Sequence, residues 1–157
     1  SNSSMERCVS LYLPSKRSDS TGIGKDRKML IKAAMSFLLL ELKGATQFEA
    51  IGYFVGSDDE VHEEAVTVCR SFCSTNILNE KCADLIRLIN SLAIEFEQIS
   101  IAVEIDNVMH LYEPDAQYRE AYQQLLKQGT AGGYHDYINI ELPLKGAPIV
   151  TPSQAAE

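Results

Sequence analysis

The sequence predicts an α+β fold in one domain, and three observations carry that reading. The chain has 157 residues, a length that fits one domain of roughly 100–200 residues. Alternating stretches and stretches of helical spacing follow one another as strand, helix, strand, strand, helix, strand. The two middle strands are separated by only five turn-forming residues, Gly56 to Glu60, which predicts an antiparallel hairpin.

Each element has its own chemistry. Cys8 to Leu13 alternates and stops at Pro14, which reads as a strand. PSKRSDSTGIGK follows as a loop. Asp26 is placed to cap the next helix. In that helix Leu30, Ala33, Ala34, Phe37, Leu38 and Leu42 keep helical spacing, and Gly44 is expected to close it in a left-handed conformation. Thr46 to Val55 reads as a strand with a bulge at Gly52, and Val61 to Phe72 as its hairpin partner. A second helix is expected to start at Asn79, with Cys82, Leu85, Ile86, Ile89, Leu92, Ala93 and Phe96 as its apolar stripe, and to end near Gln98. Ile99, Ile101, Val103 and Ile105 then alternate as a strand.

This element order resembles the ferredoxin-like βαββαβ sandwich, with two helices on one face of a four-stranded antiparallel sheet. The resemblance implies a core domain over residues 5–113. It carries no function, because that superfold hosts many. Residues 114–142 read as an extension that packs on the core or on a neighbouring subunit. It holds a helix from Ala116 to Gln128, lined by Tyr118, Ala121, Tyr122 and Leu125, then a strand from Tyr134 to Leu142. Residues 143–157 are expected to be extended or disordered. Ser1 to Ser4 read as an expression scar before a start at Met5.

Composition bounds the function. No apolar run reaches the roughly 18 residues of a membrane span, and no leader-like segment follows Met5, so a cytoplasmic protein is expected. A chain of this size buries about 68–70% of its unfolded surface and needs no disulfide or metal to fold. Cys69 and Cys73, on one strand, would stand about 13 Å apart. The four cysteines therefore read as free thiols. The net charge is −8, which repels a nucleic acid backbone and argues against direct nucleic-acid binding. The charge is uneven. Seven of the 14 basic residues but only three of the 22 acids precede Ala33.

The basic loop is the strongest candidate site. Lys16, Arg17, Lys25 and Arg27 supply charge, Ser20 and Thr21 supply hydroxyl donors, and the loop ends at a helix start, where free amides attract anions. Arg17 and Arg27 are expected to serve no core. STGIGKD is no phosphate-binding P-loop, because Asp26 stands where a magnesium-binding Ser or Thr belongs. The alternative reading of the same loop is a solvated segment that relieves the repulsion of an acidic body.

AVEIDNVMHLYEP, Ala102 to Pro114, is the second candidate. As one strand it gathers Glu104, Asp106, His110 and Tyr112 on one face, and Glu104, His110 and Tyr112 become acid–base groups. As two strands joined at Asp106-Asn107 it is a hairpin, because both residues tolerate the positive φ of a tight turn. Both readings stay open on the sequence. His62-Glu63-Glu64 lacks the second histidine of a zinc motif, and no metal or other cofactor is expected. Tyr12 lies on a strand whose outer face would be open.

These features predict a non-enzymatic, homo-oligomeric binding protein for a small anion such as a nucleotide, a signalling nucleotide or a phosphorylated metabolite. An exposed sheet face or edge, together with the extra helix and strand, offers the surface for self-association. The rival is a small dimeric enzyme with its acid–base site on the sheet. A third reading is an acidic inhibitor that offers its surface to a nucleic-acid-binding protein partner.

Overall fold

The computed structural model describes residues 4–16, 26–98 and 100–127. Strand β1 (Arg7–Pro14) leads to helix α1 (Asp26–Leu42), strands β2 (Thr46–Val55) and β3 (Val61–Cys73), helix α2 (Thr75–Glu95), strands β4 (Ile101–Ile105) and β5 (Val108–Tyr112), and helix α3 (Ala116–Lys127). The strands form one five-stranded antiparallel sheet in the order β2-β3-β1-β4-β5. The α+β class is as expected. The expectation of four strands is corrected to five, because the segment after Ile105 turns back on itself. The strand expected over Tyr134 to Leu142, and the tail after it, lie outside the described residues.

That turn settles the open reading of Ala102 to Pro114. Asp106 and Asn107 both have positive φ, 49° and 71°, and Ile105 pairs with Val108 across them. This is a two-residue hairpin of the kind Asp and Asn favour. The Asp106 carboxylate anchors it, accepting from the Cys8 amide at 2.9 Å and from Arg7 Nε at 2.7 Å.

One face of the sheet carries Val9, Leu11 and Leu13, Cys69 and Cys73, and Ile101 and Val103, all buried against Phe37, Leu38 and Leu42 of α1 and Leu85, Ile89 and Leu92 of α2. Burying each of the Val, Leu, Ile and Phe side chains among them contributes about 1.5–3 kcal/mol. The predicted stripes of both helices point into this core, with Cys82 at its rim. Helix α3 adds Tyr118 and Tyr122, both fully buried. Their rings stack 6.2 Å apart.

Three local expectations are corrected. α2 begins at Thr75, not Asn79, because Ser74 accepts the Ile77 amide and caps the helix four residues earlier. α1 closes through Lys43, whose φ is 74°, while the Gly44 carbonyl accepts the Ser71 hydroxyl at 2.6 Å. No bulge forms at Gly52, since β2 and β3 stay in one register from Thr46↔Arg70 to Val55↔Val61.

Candidate functional site

The turn at Asp106-Asn107 decides the fate of the acid–base set. Residues directly paired across a ladder share a face. Glu104 pairs with Met109 and Ser10, on the face away from the helices. His110 pairs with Val103 and Tyr112 with Ile101, on the helix-covered face. The sheet therefore separates Glu104 from His110 and Tyr112, and the three do not form one site. Tyr112 is buried, and that burial pushes its phenol above the ordinary range, against a hydrogen bond from Asn90.

Glu104 has other neighbours instead. No described helix covers the outer face of the sheet, and Cys8, Ser10 and Tyr12 of β1 lie at its centre. The Tyr12 hydroxyl donates to Glu104 at 3.2 Å. Arg70 donates from Nε to the buried Ser10 hydroxyl at 2.9 Å and lies 3.7 Å from Glu104. Its guanidinium also sits over the Phe48 ring, 5.1 Å from the centroid, a cation–π contact. A hollow of about 250 Å³ opens beside this cluster, lined by Glu6, Cys8, Arg70, Phe72, Glu104 and Asp106 among others. Burial, and then the bond to Glu104, raises the Tyr12 phenol.

The basic loop is described only at its ends. Lys16 has an exposed side chain. Its backbone is held twice: its amide and that of Ser15 donate to Glu64 Oε1 at 2.9 and 3.0 Å, and its carbonyl accepts from Gln98 Nε2 at 2.6 Å. Arg17, Ser20, Thr21 and Lys25 lie outside the described residues. Arg27, expected to serve no core, stands in the first turn of α1 and is bonded to two other elements. It is partly buried, its Nε donates to the Pro14 carbonyl at 2.9 Å, and its Nη2 donates to Thr67 Oγ1 at 2.7 Å. Thr67 is fully buried, and its hydroxyl donates to the Glu49 carboxylate, 2.8–3.0 Å away. A chain of bonds thus runs from β1 through α1 and β3 to β2.

Two members of that chain, Arg27 and Glu49, line a groove of about 560 Å³ between α1 and β2, together with Lys28, Ile31, Lys32, Met35 and Gln47. The volume falls within the usual range for small-ligand pockets. The geometry follows from helical spacing. Lys28 and Lys32 are one turn apart, as are Ile31 and Met35, so two cations and two apolar side chains face the same groove. Lys32, Gln47 and Glu49 were not singled out by sequence. The Lys28/Lys32 spacing is a readable signal, whereas the two β2 residues become groove residues only once α1 is laid across the sheet. Chemically the groove offers three cations, one amide and one carboxylate over an apolar floor. That suits an anion with an apolar body.

Among the described residues no group of three or more His, Cys, Asp or Glu is arranged to hold a metal. No described helix is long and apolar enough to cross a membrane. All four cysteines are free, and Cys69 and Cys73 are buried. Burial pushes Cys69 up to about 12, with the Glu49 charge adding to it, and pushes Cys73 up to about 11. An unfolded thiol titrates near 8.5, so the folded state holds these protons more tightly. The resulting stability is fully present below about pH 8.5 and is lost as pH rises through 11 to 12. Urea unfolding at pH 7, 9 and 10.5 is expected to show a falling free energy of unfolding above pH 9. A flat profile in that interval would contradict the burial of these thiols.

No protein-family model matches the chain, and no curated protein matches it. Among solved structures, a phage SAM lyase in complex with S-methyl-5′-thioadenosine superposes with a TM-score of 0.50 at 14% identity, over 74% of this chain and 95% of that one. A phage SAM lyase in the apo state gives a TM-score of 0.46 at 18% identity, over 71% of this chain and 90% of that one. At 14% identity the first likeness shows a shared fold and nothing of this chain's chemistry.

Proposed function

We propose that the protein binds a small anionic ligand, such as a nucleotide, a signalling nucleotide or a phosphorylated metabolite, and sequesters or senses it without turning it over. The observation that carries this reading is the convergence of Arg27, Lys28 and Lys32 on one groove of a chain whose net charge is −8. An anion there meets most of the local positive charge of an otherwise repelling molecule. Lys25 directly precedes α1 in the chain, and Arg17, Ser20 and Thr21 precede it in sequence. On this reading the β1–β4 core with its two helices is a ferredoxin-like unit to which β5 and α3 are added. Apolar exposure at Phe48, Ile51, Tyr53, Phe54 and Phe72 favours self-association.

Titration calorimetry tests the binding. The panel should hold nucleoside mono- and triphosphates, a cyclic nucleotide and a sugar phosphate, with S-methyl-5′-thioadenosine as the uncharged nucleoside for comparison. Lys28→Ala/Lys32→Ala is expected to weaken the best anion by about tenfold, since each exposed cation contributes about 0.2–1 kcal/mol. Added salt should weaken it as well, because exposed charges are screened over about 8 Å at physiological ionic strength. Equal affinity of the double variant and the parent would refute the groove as the site.

A second reading rests on the Tyr12–Glu104 bond beside Arg70 and the hollow on the outer face. There Glu104 would act as the acid–base group of a small enzyme, with Tyr12 and Arg70 fixing its position. The same panel with SAM added, followed by product analysis, separates the two. Turnover lost in Glu104→Gln but kept in the lysine double variant would favour the enzyme.

A further inference from the structure

We propose that a second copy of this chain pairs with the outer edge of β2, antiparallel and about a two-fold axis perpendicular to the sheet. The proposal rests on the self-association inferred above and names its surface. β2 is an edge strand of ten residues, TQFEAIGYFV, and no described strand pairs with its outer side. Proteins protect such edges with lysine, proline, bulges or short length. β2 has none of these, and of the inward-pointing charges that also protect an edge it has only Glu49. It contains no Lys, Arg or Pro, its register with β3 is unbroken, and its one charge is Glu49. The other edge, β5, is only five residues long.

The outer half of the β2–β3 hairpin is also bare on both faces. Ile51, Tyr53, Val55 and Val61 are more than half exposed on the helix side, and Phe54 is 53% exposed on the other. A two-stranded hairpin is marginal in water by itself and gains from a third strand. Self-pairing satisfies this with no like charges opposed. Under such a two-fold, paired residues share a face, so the axis passes through one residue. Centred on Ala50, Ile51 or Gly52, it sets Glu49 opposite Ile51, Tyr53 or Val55 of the other copy, all uncharged. An isologous pair also closes on itself and does not grow into a filament.

Sedimentation equilibrium of the full chain should give a dimer. Ile51→Lys/Tyr53→Lys should raise its dissociation constant by about 100-fold or more with unchanged circular dichroism, while Leu111→Lys on β5 should leave it alone. If the edge variant does not fold, hydrogen exchange on the parent decides. Amides within Thr46 to Val55 should be protected at high protein concentration and exchange faster on dilution. A monomeric parent removes both the self-association and this edge. A dimer that survives the edge variant, or β2 exchange independent of concentration, removes this edge alone. A parent that is monomeric and dimerises only when truncated after Gly129 shows that its own C-terminal segment occupies the edge, and overturns the proposal.

Discussion

Replacing Arg27 with alanine is expected to lower the free energy of unfolding by about 2–4 kcal/mol, since hydrogen bonds to charged groups contribute about 1.5–3 kcal/mol each and two that share one side chain do not add fully. The Arg27 guanidinium links the Pro14 carbonyl to the buried Thr67 hydroxyl. Its loss leaves the Pro14 carbonyl without that donor and removes the cation from the Thr67–Glu49 pair. Arg27→Lys keeps the charge but not the fork that reaches both acceptors, so it should recover less than half of the loss. Urea unfolding of the three proteins checks this. A change within 0.5 kcal/mol for the alanine variant would mean that the bond chain does not hold α1 to the sheet. Ligand affinity should fall in both variants, as it should for Lys28 and Lys32, and the loss of stability separates Arg27 from the two lysines. The lysines are exposed and line the groove, and should alter binding with little change in stability.

Tyr118→Ala is expected to cost about 3–5 kcal/mol, the range for removing a large buried aromatic side chain. Tyr118 is fully buried, stacks on Tyr122, and donates its hydroxyl to the Arg87 carbonyl at 3.3 Å. Tyr118→Phe keeps the ring and should cost only about 0.5–1.5 kcal/mol, the net worth of one hydrogen bond. The two variants therefore divide packing from hydrogen bonding. α3 sits at the end of the described chain, so the loss divides between local undocking and global unfolding. Exchange protection within α3 that collapses while the sheet stays protected would indicate docking alone. Equal stability of the alanine and phenylalanine variants would show that the ring contributes nothing.

How much of this was legible beforehand differs from element to element. The stripe Leu85, Ile86, Ile89, Leu92, Ala93 and Phe96 determined its own fate, because helical spacing puts those residues on one face and water drives that face inward. The alternation of Val9, Leu11 and Leu13 did the same for β1. The turn residues Asp106 and Asn107 were legible as turn formers, but two readings of the segment differed only in whether the chain reversed there. Reversal shifts the face of every later residue, which sent His110 and Tyr112 to the helix side and left Glu104 on the other. Sequence alone could not decide it, because the choice depends on whether β4 has a free edge to receive β5.

The candidate site divides in the same way. An excess of basic residues in the first fifth of the chain is a property of the sequence, and so is the one-turn spacing of Lys28 and Lys32. That Gln47 and Glu49 face those lysines across a groove, and that Arg27 is tied down as a strut, was decided only when α1 crossed the sheet at the β2 end. Local periodicity fixes which side of an element turns inward. Which other element waits there is set by packing between segments far apart in the chain, and no short stretch of residues encodes it.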